Sequence, residues 1–315
     1  MKYIKDYREG DRVCDIYMCK HRQSATTKNG KSYDNVILQD KTGTIDAKVW
    51  SPNDPGIDEY DPMDYIEVYG EVTNFNGTLQ VNVKRIRKCR PGEYIESDYL
   101  PMSPYPIDDM FNELLSFIDS VKNEYLHTLL CMLFKDDESF ISAFKKSSAA
   151  KSVHHGFIGG LLQHTLSVTK LCDFYCTRYE KLNRDLLITA AICHDIAKTK
   201  ELSLYPLNDY TDAGQFLGHI VMGSQMVAEV ASKIDNFPTT ILYELQHCIL
   251  AHHGEYEFGS PKKPALIEAV ALNFADNTDA KMETFTELLD NTATANEWLG
   301  FNRLFDSNLH ATNME

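Results

Sequence analysis

No stretch of this sequence approaches the roughly 18 consecutive apolar residues that a membrane-spanning helix needs. That excludes an integral membrane protein of the helical kind. The N-terminal "MKYIKDYREGD" is charged from its second residue and lacks the apolar segment of a secretory leader, so a cytoplasmic chain is expected. Cysteine is sparse and scattered: eight residues, of which Cys172 and Cys176 are the closest pair. They would fall one helical turn apart, and no second pair completes a zinc site or a disulfide framework. Reduced thiols are expected. A phosphate-binding G-x-x-x-x-G-K-[ST] loop is missing, as are internal repeats and low-complexity tracts. Positive charge is also in short supply. A net charge of −15 argues at first against a nucleic-acid partner.

The charge is unevenly divided. Residues 1–96 hold 15 Lys and Arg against 16 Asp and Glu, whereas the remainder holds 16 against 30. The first part can therefore present a local basic face. The second is carboxylate-rich. With 315 residues, 43% apolar and 24% charged, the chain has room for two globular domains.

Period-two apolar spacing marks strands in "VILQ", "TIDAKVW", "YIEVYGEVTNF" and "TLQVNVKRI". Turn signals separate them at Asn29-Gly30, Asp40 to Gly43 and Asn76-Gly77. About five strands, with a longer connection after the third, predict a small closed barrel of the OB type over residues 1–96. "YLPMSPYPIDD" carries three prolines and reads as a linker, residues 97–110. From 111 to 315 the apolar spacing turns helical and predicts an all-α domain. Pro264 is placed where a first-turn proline would open a helix through "ALIEAVALNFADNTDAK".

Potential metal ligands recur along these helical segments. His164 lies in "GGLLQHT", His194 and Asp195 in "AAICHDIAKTK", His219 in "FLGHI", His252 and His253 in "LAHHG", and Asp276 in "NFADNTDAK". Each is flanked by apolar residues and is expected to face inward. One such histidine would read as a satisfied core residue. Six or more in one domain, with an adjacent His-Asp pair, predict a metal centre.

The order H…HD…D formed by His164, His194, Asp195 and Asp276 resembles the HD-domain metal-dependent phosphohydrolases. His219 and the "AHHG" pair resemble members of that group that bind two metals. The segments "HHGFIGGLLQHTLSV" and "HHGEYEFGSPKKPALIEAVALNFADNTDAK" are similar to signature segments of YhaM-type 3′→5′ exoribonucleases, which also place an OB domain before an HD domain. The resemblance spans almost the whole chain. It implies a cytoplasmic nuclease that shortens single-stranded RNA from the 3′ end to nucleoside monophosphates, with Mn²⁺ as the favoured metal. Single-stranded DNA stands as the alternative polymer.

Mixed His and carboxylate ligands suit Mn²⁺, Fe²⁺, Co²⁺ or Zn²⁺ better than Mg²⁺ alone. Two divalent ions are expected, with Asp195 as the bridge because a carboxylate has two oxygens to share. His164, His194 and Asp276 are assigned to one ion, His219 and His252 to the other. His253 is read as either a ligand or a phosphate contact. Lys198, four residues after His194, is expected at a phosphate oxygen; a solvated helix-end lysine is the competing reading. Lys262 and Lys263 in "EFGSPKKP" are expected to bind substrate, with a plain surface turn as the competing reading. His154 and His155 are expected as outer partners of the ligands, and Asp279 as either an outer partner or a cap of the helix end. In "KRIRKCR", Lys84, Arg85 and Arg87 are the expected strand-binding residues. Strict alternation would put Lys84 and Lys88 on one side, Arg85 and Arg87 on the other. Tyr33, Trp50, Tyr69 and Phe75 are candidate stacking platforms, with barrel core as the competing role, and Trp50 is expected in the core. Two other functions compete: an HD phosphohydrolase of free or cyclic nucleotides, and a non-catalytic OB single-strand-binding regulator. A homo-oligomer is compatible with either.

Overall fold

The computed structural model describes residues 2–27, 30–151, 155–290 and 298–312. The chain divides into two compact units. One runs to Met102 and includes Tyr205–Leu207; the other holds Ser103–Leu204 and the chain from Asn208.

In the first unit, β1 (Arg12–Thr26), β2 (Ser32–Asp40), β3 (Gly43–Val49), β4 (Tyr65–Phe75) and β5 (Thr78–Lys88) close into a barrel of order β1-β2-β3-β5-β4. This is the expected OB topology, with the long connection after the third strand. β1 pairs with β4 through Arg12–Met18 and with β2 through Met18–Thr26. A bulge between Cys19 and His21 bends it between the two partners. Parallel pairing of β3 with β5 closes the barrel. Ile45, Ala47 and Val49 point inward, as do Val81 and Val83. At the β4–β5 hairpin, Asn76 and Gly77 both take positive φ, as a two-residue primed turn requires. Asn29, the other asparagine expected at a turn, lies outside the described residues.

Two side-chain placements differ from expectation. Trp50 is 49% exposed, not core. It follows inward-facing Val49, so the strand's own alternation sends it out, where it lies 5.3 Å from the Tyr33 ring. In β5 the alternation fails. A bulge facing Tyr69 and Gly70 lets Lys84 and Arg85 both stand exposed between inward Val83 and Ile86.

The second unit contains α1 (Ile107–Asp119), α2 (Glu124–Phe134), α3 (Glu138–Lys146), α4 (Gly160–Arg178), α5 (Arg184–Cys193), α6 (Lys198–Glu201), α7 (Asp212–Phe216), α8 (Gly218–Ala231), α9 (Thr239–Ala251) and α10 (Ile267–Asp290). α5 is the hub. Every residue from Leu186 to Cys193 is buried, as expected of a helix apolar on all faces. Asn183 opens it by accepting from the Leu186 amide at 3.2 Å. α10 begins at Ile267, so Pro264 precedes the helix rather than opening it; the Ala265 amide instead donates to His247 at 2.9 Å. A two-stranded hairpin, β6 (Trp298–Asn302) with β7 (Ser307–His310), follows the helices. The all-helical expectation missed it, because two strands this short carry too few alternations to register. Among the described residues, no helix is long and apolar enough to cross a membrane.

Candidate metal centre

The His-Asp pair sits where α5 ends. His194 caps the helix with φ −58° and ψ −37°, still helical, so the two side chains leave the chain about 100° apart and can meet only on something seated between them. His194 turns its Nδ1 back to the Ala191 carbonyl at 2.7 Å, one of the carbonyls left without a partner at a helix C-terminus. His252 does the same at the end of α9, donating to the Ile249 carbonyl at 2.6 Å. His219 enters from the first turn of α8, His164 from the first turns of α4, and Asp276 from the middle of α10. Helix ends and one helix face thus converge from five separate segments.

Each imidazole is fixed by its Nδ1. His164 donates to Asp279 at 2.7 Å, His219 to Glu201 at 2.9 Å, and His253 to the Phe258 carbonyl at 2.8 Å. With Nδ1 so engaged, each of the five rings turns its Nε2 toward the centre. The Nε2 atoms of His164 and His194 face each other at 3.2 Å. Two lone pairs that close repel unless a cation or a proton lies between them. His219 Nε2, His252 Nε2 and Asp195 Oδ1 are buried and have no hydrogen-bond partner. Leaving such atoms unsatisfied is costly. The donor set therefore fits divalent-metal binding.

The carboxylate of Asp195 looks both ways. Its Oδ2 lies 3.4 Å from His194 Nε2 and 3.5 Å from His164 Nε2. Its Oδ1 lies 3.3 Å from His219 Nε2 and 3.7 Å from His252 Nε2. His164, His194 and Asp276 form one group with donor atoms within 4.8 Å, and His219, His252 and His253 form another. The structure thus brings together every expected ligand and adds His253 to the second group.

Charge is tightly balanced. Burial opposes ionisation of Asp195, but Lys198, His194 and His219 outweigh it and hold the carboxyl well below its usual range. The Lys198 ammonium lies 2.6 Å from Asp195 Oδ2, and its side chain is 13% exposed. Burial likewise opposes the charge of Asp276, while His164 beside it keeps the carboxylate ionised. His164 would be neutralised by burial alone; Asp276 and Asp279 at its two nitrogens push its pKa up to about 10. Burial, with His253 and His194 alongside, keeps His252 neutral, the form a ligand requires.

Among the expected outer partners, His155 meets Asp279 at 2.9 Å. His154 lies outside the described residues. Gly160 permits this arrangement, since a Cβ there would fall 2.0 Å from the His155 carbonyl oxygen. Glu201 was not anticipated. It precedes His219 by 18 residues and reaches it only because α6 and α8 fold together.

A cleft of about 610 Å³ opens onto the centre, with His164, Lys198, His253 and Asp276 at its base and Lys281 and Arg303 among its other walls. Lys262 and Lys263 do not line it; Lys263 pairs with Glu255. On the barrel, Arg87 is held by Glu67 at 2.7 Å and Glu93 at 2.8 Å, and Lys84 lies 3.8 Å from Glu71. Arg85 stands over the Tyr69 ring. A separate cleft of about 350 Å³ on the barrel is lined by Lys48, Trp50, Phe75, Thr78 and Gln80. Lys48 was not singled out in the sequence, because one lysine in a strand carries no distinguishing pattern.

Residues 161–281 match the family model of the HD domain, and residues 20–88 match the OB-fold nucleic acid binding domain model. The chain is therefore an HD-domain protein with an OB-fold module ahead of it. It is 36% identical over 295 residues to the 3′-5′ exoribonuclease YhaM of Geobacillus sp. (strain WCH70), covering 92% of this chain and 88% of that one. Against the YhaM proteins of Bacillus subtilis (strain 168) and Bacillus pumilus (strain SAFR-032) the identity is 33% over 290 residues, covering 92% of this chain and 91% of each. The chain belongs to the YhaM 3′-5′ exoribonuclease family.

Proposed function

We propose that this protein is a metal-dependent exoribonuclease that removes nucleotides from the 3′ end of single-stranded RNA. The observation that carries the reading is the group of buried, unpartnered atoms at Asp195, set in the base of an open cleft in a chain that also bears an OB barrel. His164, His194, Asp276 and Asp195 Oδ2 would hold one divalent ion; His219, His252, His253 and Asp195 Oδ1 would hold a second. Manganese is the favoured metal, with cobalt, iron or zinc compatible with the same ligands. When bound, such ions supply Lewis acidity toward a phosphoryl oxygen and lower the pKa of water.

The protein's own groups do the remainder. Asp279, Glu201 and the helix-end carbonyls fix the tautomer and aim of each imidazole. Lys198 neutralises Asp195 and, from its place in the cleft, balances charge on the entering phosphate. Water adds to the terminal phosphorus, and the bond to the O3′ of the preceding nucleotide breaks. A nucleoside 5′-monophosphate leaves, and the shortened strand keeps a free 3′-OH. On the barrel, Trp50 and Phe75 offer exposed rings for base stacking, while Lys48, Lys84 and Arg85 offer charge to the backbone. Arg87 is already engaged by two glutamates and contributes less.

A 5′-labelled single-stranded RNA with Mn²⁺ should give a ladder that shortens from the 3′ end, and EDTA should abolish it. A bulky 3′ block should suppress digestion. Rapid cutting of circular RNA would overturn the exonuclease reading.

A further inference from the structure

The hairpin that ends the described chain is anchored to the catalytic unit by its turn. Phe305 sets its ring 5.3 Å from that of Phe285 on α10, nearly at a right angle. Within the turn, Asn302 accepts from the Leu304 amide at 2.9 Å, and Asp306 takes positive φ. These contacts deliver Arg303 and Leu304 to the wall of the metal cleft. Across it stand Phe258, and along α10 the residues Asn277 and Lys281, about one helical turn apart.

The chemistry of this wall differs from that of its base. Several lysines and arginines of the sites discussed are matched by a carboxylate, as Lys84, Arg87 and Lys263 are. Among the described residues, neither Lys281 nor Arg303 has a carboxylate within ion-pair distance. Phe258 is 64% exposed and Leu304 52% exposed, two apolar faces left in water beside two free cations. Two cations, two apolar side chains and a free amide suit a nucleotide: anionic backbone, flat base, polar base edge. The cleft volume lies within the roughly 300–1,000 Å³ of ordinary small-ligand sites.

We propose that the turn of the C-terminal hairpin forms the subsite for the end of the strand, with Arg303 and Lys281 binding the backbone phosphate next to the scissile one and Phe258 and Leu304 flanking the terminal base. The proposal rests on the exoribonuclease reading for the identity of the polymer. Contacts of this kind read no base in particular, as an enzyme that shortens RNA of any sequence needs. The wall also turns the −14 half of the chain into a surface that an anionic strand can enter.

The test uses the full chain with a trinucleotide carrying a 5′ fluorophore and a hydrolysis-resistant phosphorothioate as its 3′-terminal linkage, followed by anisotropy in Mn²⁺. Arg303→Ala should weaken binding about tenfold, the usual size of a lost charged hydrogen bond. Arg303→Lys should recover most of it, and bound metal should match the parent by elemental analysis. Leu304→Ser should weaken binding with no change in its salt dependence. Affinity unchanged in Arg303→Ala would overturn the proposal. So would equal losses in the Ala and Lys variants accompanied by a lower melting temperature, since that marks a structural role. If the parent fails to shorten RNA yet binds the trinucleotide through Arg303, the exoribonuclease reading falls and the subsite stands. If the parent shortens RNA and Arg303→Ala binds as the parent does, the subsite falls and the reading stands.

Discussion

At the residue scale the central object is Asp195, whose two oxygens face two groups of imidazoles. Asp195→Asn keeps the shape and removes the shared charge. It should lower metal content and cut turnover by more than about a hundredfold, since removing even an outer partner typically costs 10–100-fold. Elemental analysis and the RNA ladder check both, and an unchanged metal content would sink the bridging role. Asp279→Asn and Glu201→Gln probe the outer partners, and each should weaken metal affinity within that 10–100-fold range, read by metal titration. The thiols behave oppositely to the site. Burial pushes Cys193 and Cys248 up to about 12, and Cys172 is raised further from reach. At pH 8 these stay protonated and unreactive; exposed Cys14 should be the first alkylated, as peptide mapping of briefly treated native protein would show. The ligands were legible in the sequence because each carries its own residue type beside an apolar run. Glu201 was not, because nothing in "KTKELS" announces which imidazole it will meet.

At the scale of elements, the strands and long helices followed from periodicity, and the departures came where periodicity is broken. The β5 bulge moved Lys84 to stand exposed beside Arg85, and Trp50, just past the end of β3, follows the strand's alternation outward. Both changes enlarge the surface available to a strand. Trp50→Ala and Phe75→Ala should each weaken single-stranded RNA binding by about 1–3 kcal/mol if each stacks on a base. Metal content should not change, because neither residue belongs to the unit that carries the ligands. Fluorescence titration would measure the loss. The α5 hub was legible as an unbroken apolar run, yet its position at the centre was not, since such a run reads the same in any buried helix. Leu187→Ala there should cost about 2–5 kcal/mol of stability in urea unfolding.

At the scale of the whole molecule, net charge was a misleading guide and its distribution a better one. The near-neutral barrel half can bind a polyanion; the acidic half concentrates its carboxylates around cations and in surface pairs. Each phosphate contact on a single strand contributes about −0.7 to the slope of log affinity against log salt. Replacing Lys84 and Arg85 by Gln should therefore make the slope shallower by about 1.4. A slope left untouched would move RNA binding off this face of the barrel. A stable 3′ stem should stall digestion, because the chain has no nucleotide-driven unwinding motif; passage through it without pausing would contradict that expectation.

The converging helix ends carry a last consequence. His164, His194, His219, His252 and Asp276 come from five helices, and each ring is latched to a carbonyl or carboxylate of its own surroundings. An ion seated among them would act as a removable staple across the domain, binding the folded form and not the unfolded chain. At a free concentration 100 times its dissociation constant it would add about 2.7 kcal/mol to stability. Chelation should therefore lower the melting temperature and open the domain to proteases as well as stopping turnover. The supply of metal would set how long each molecule lasts, not only how fast it works.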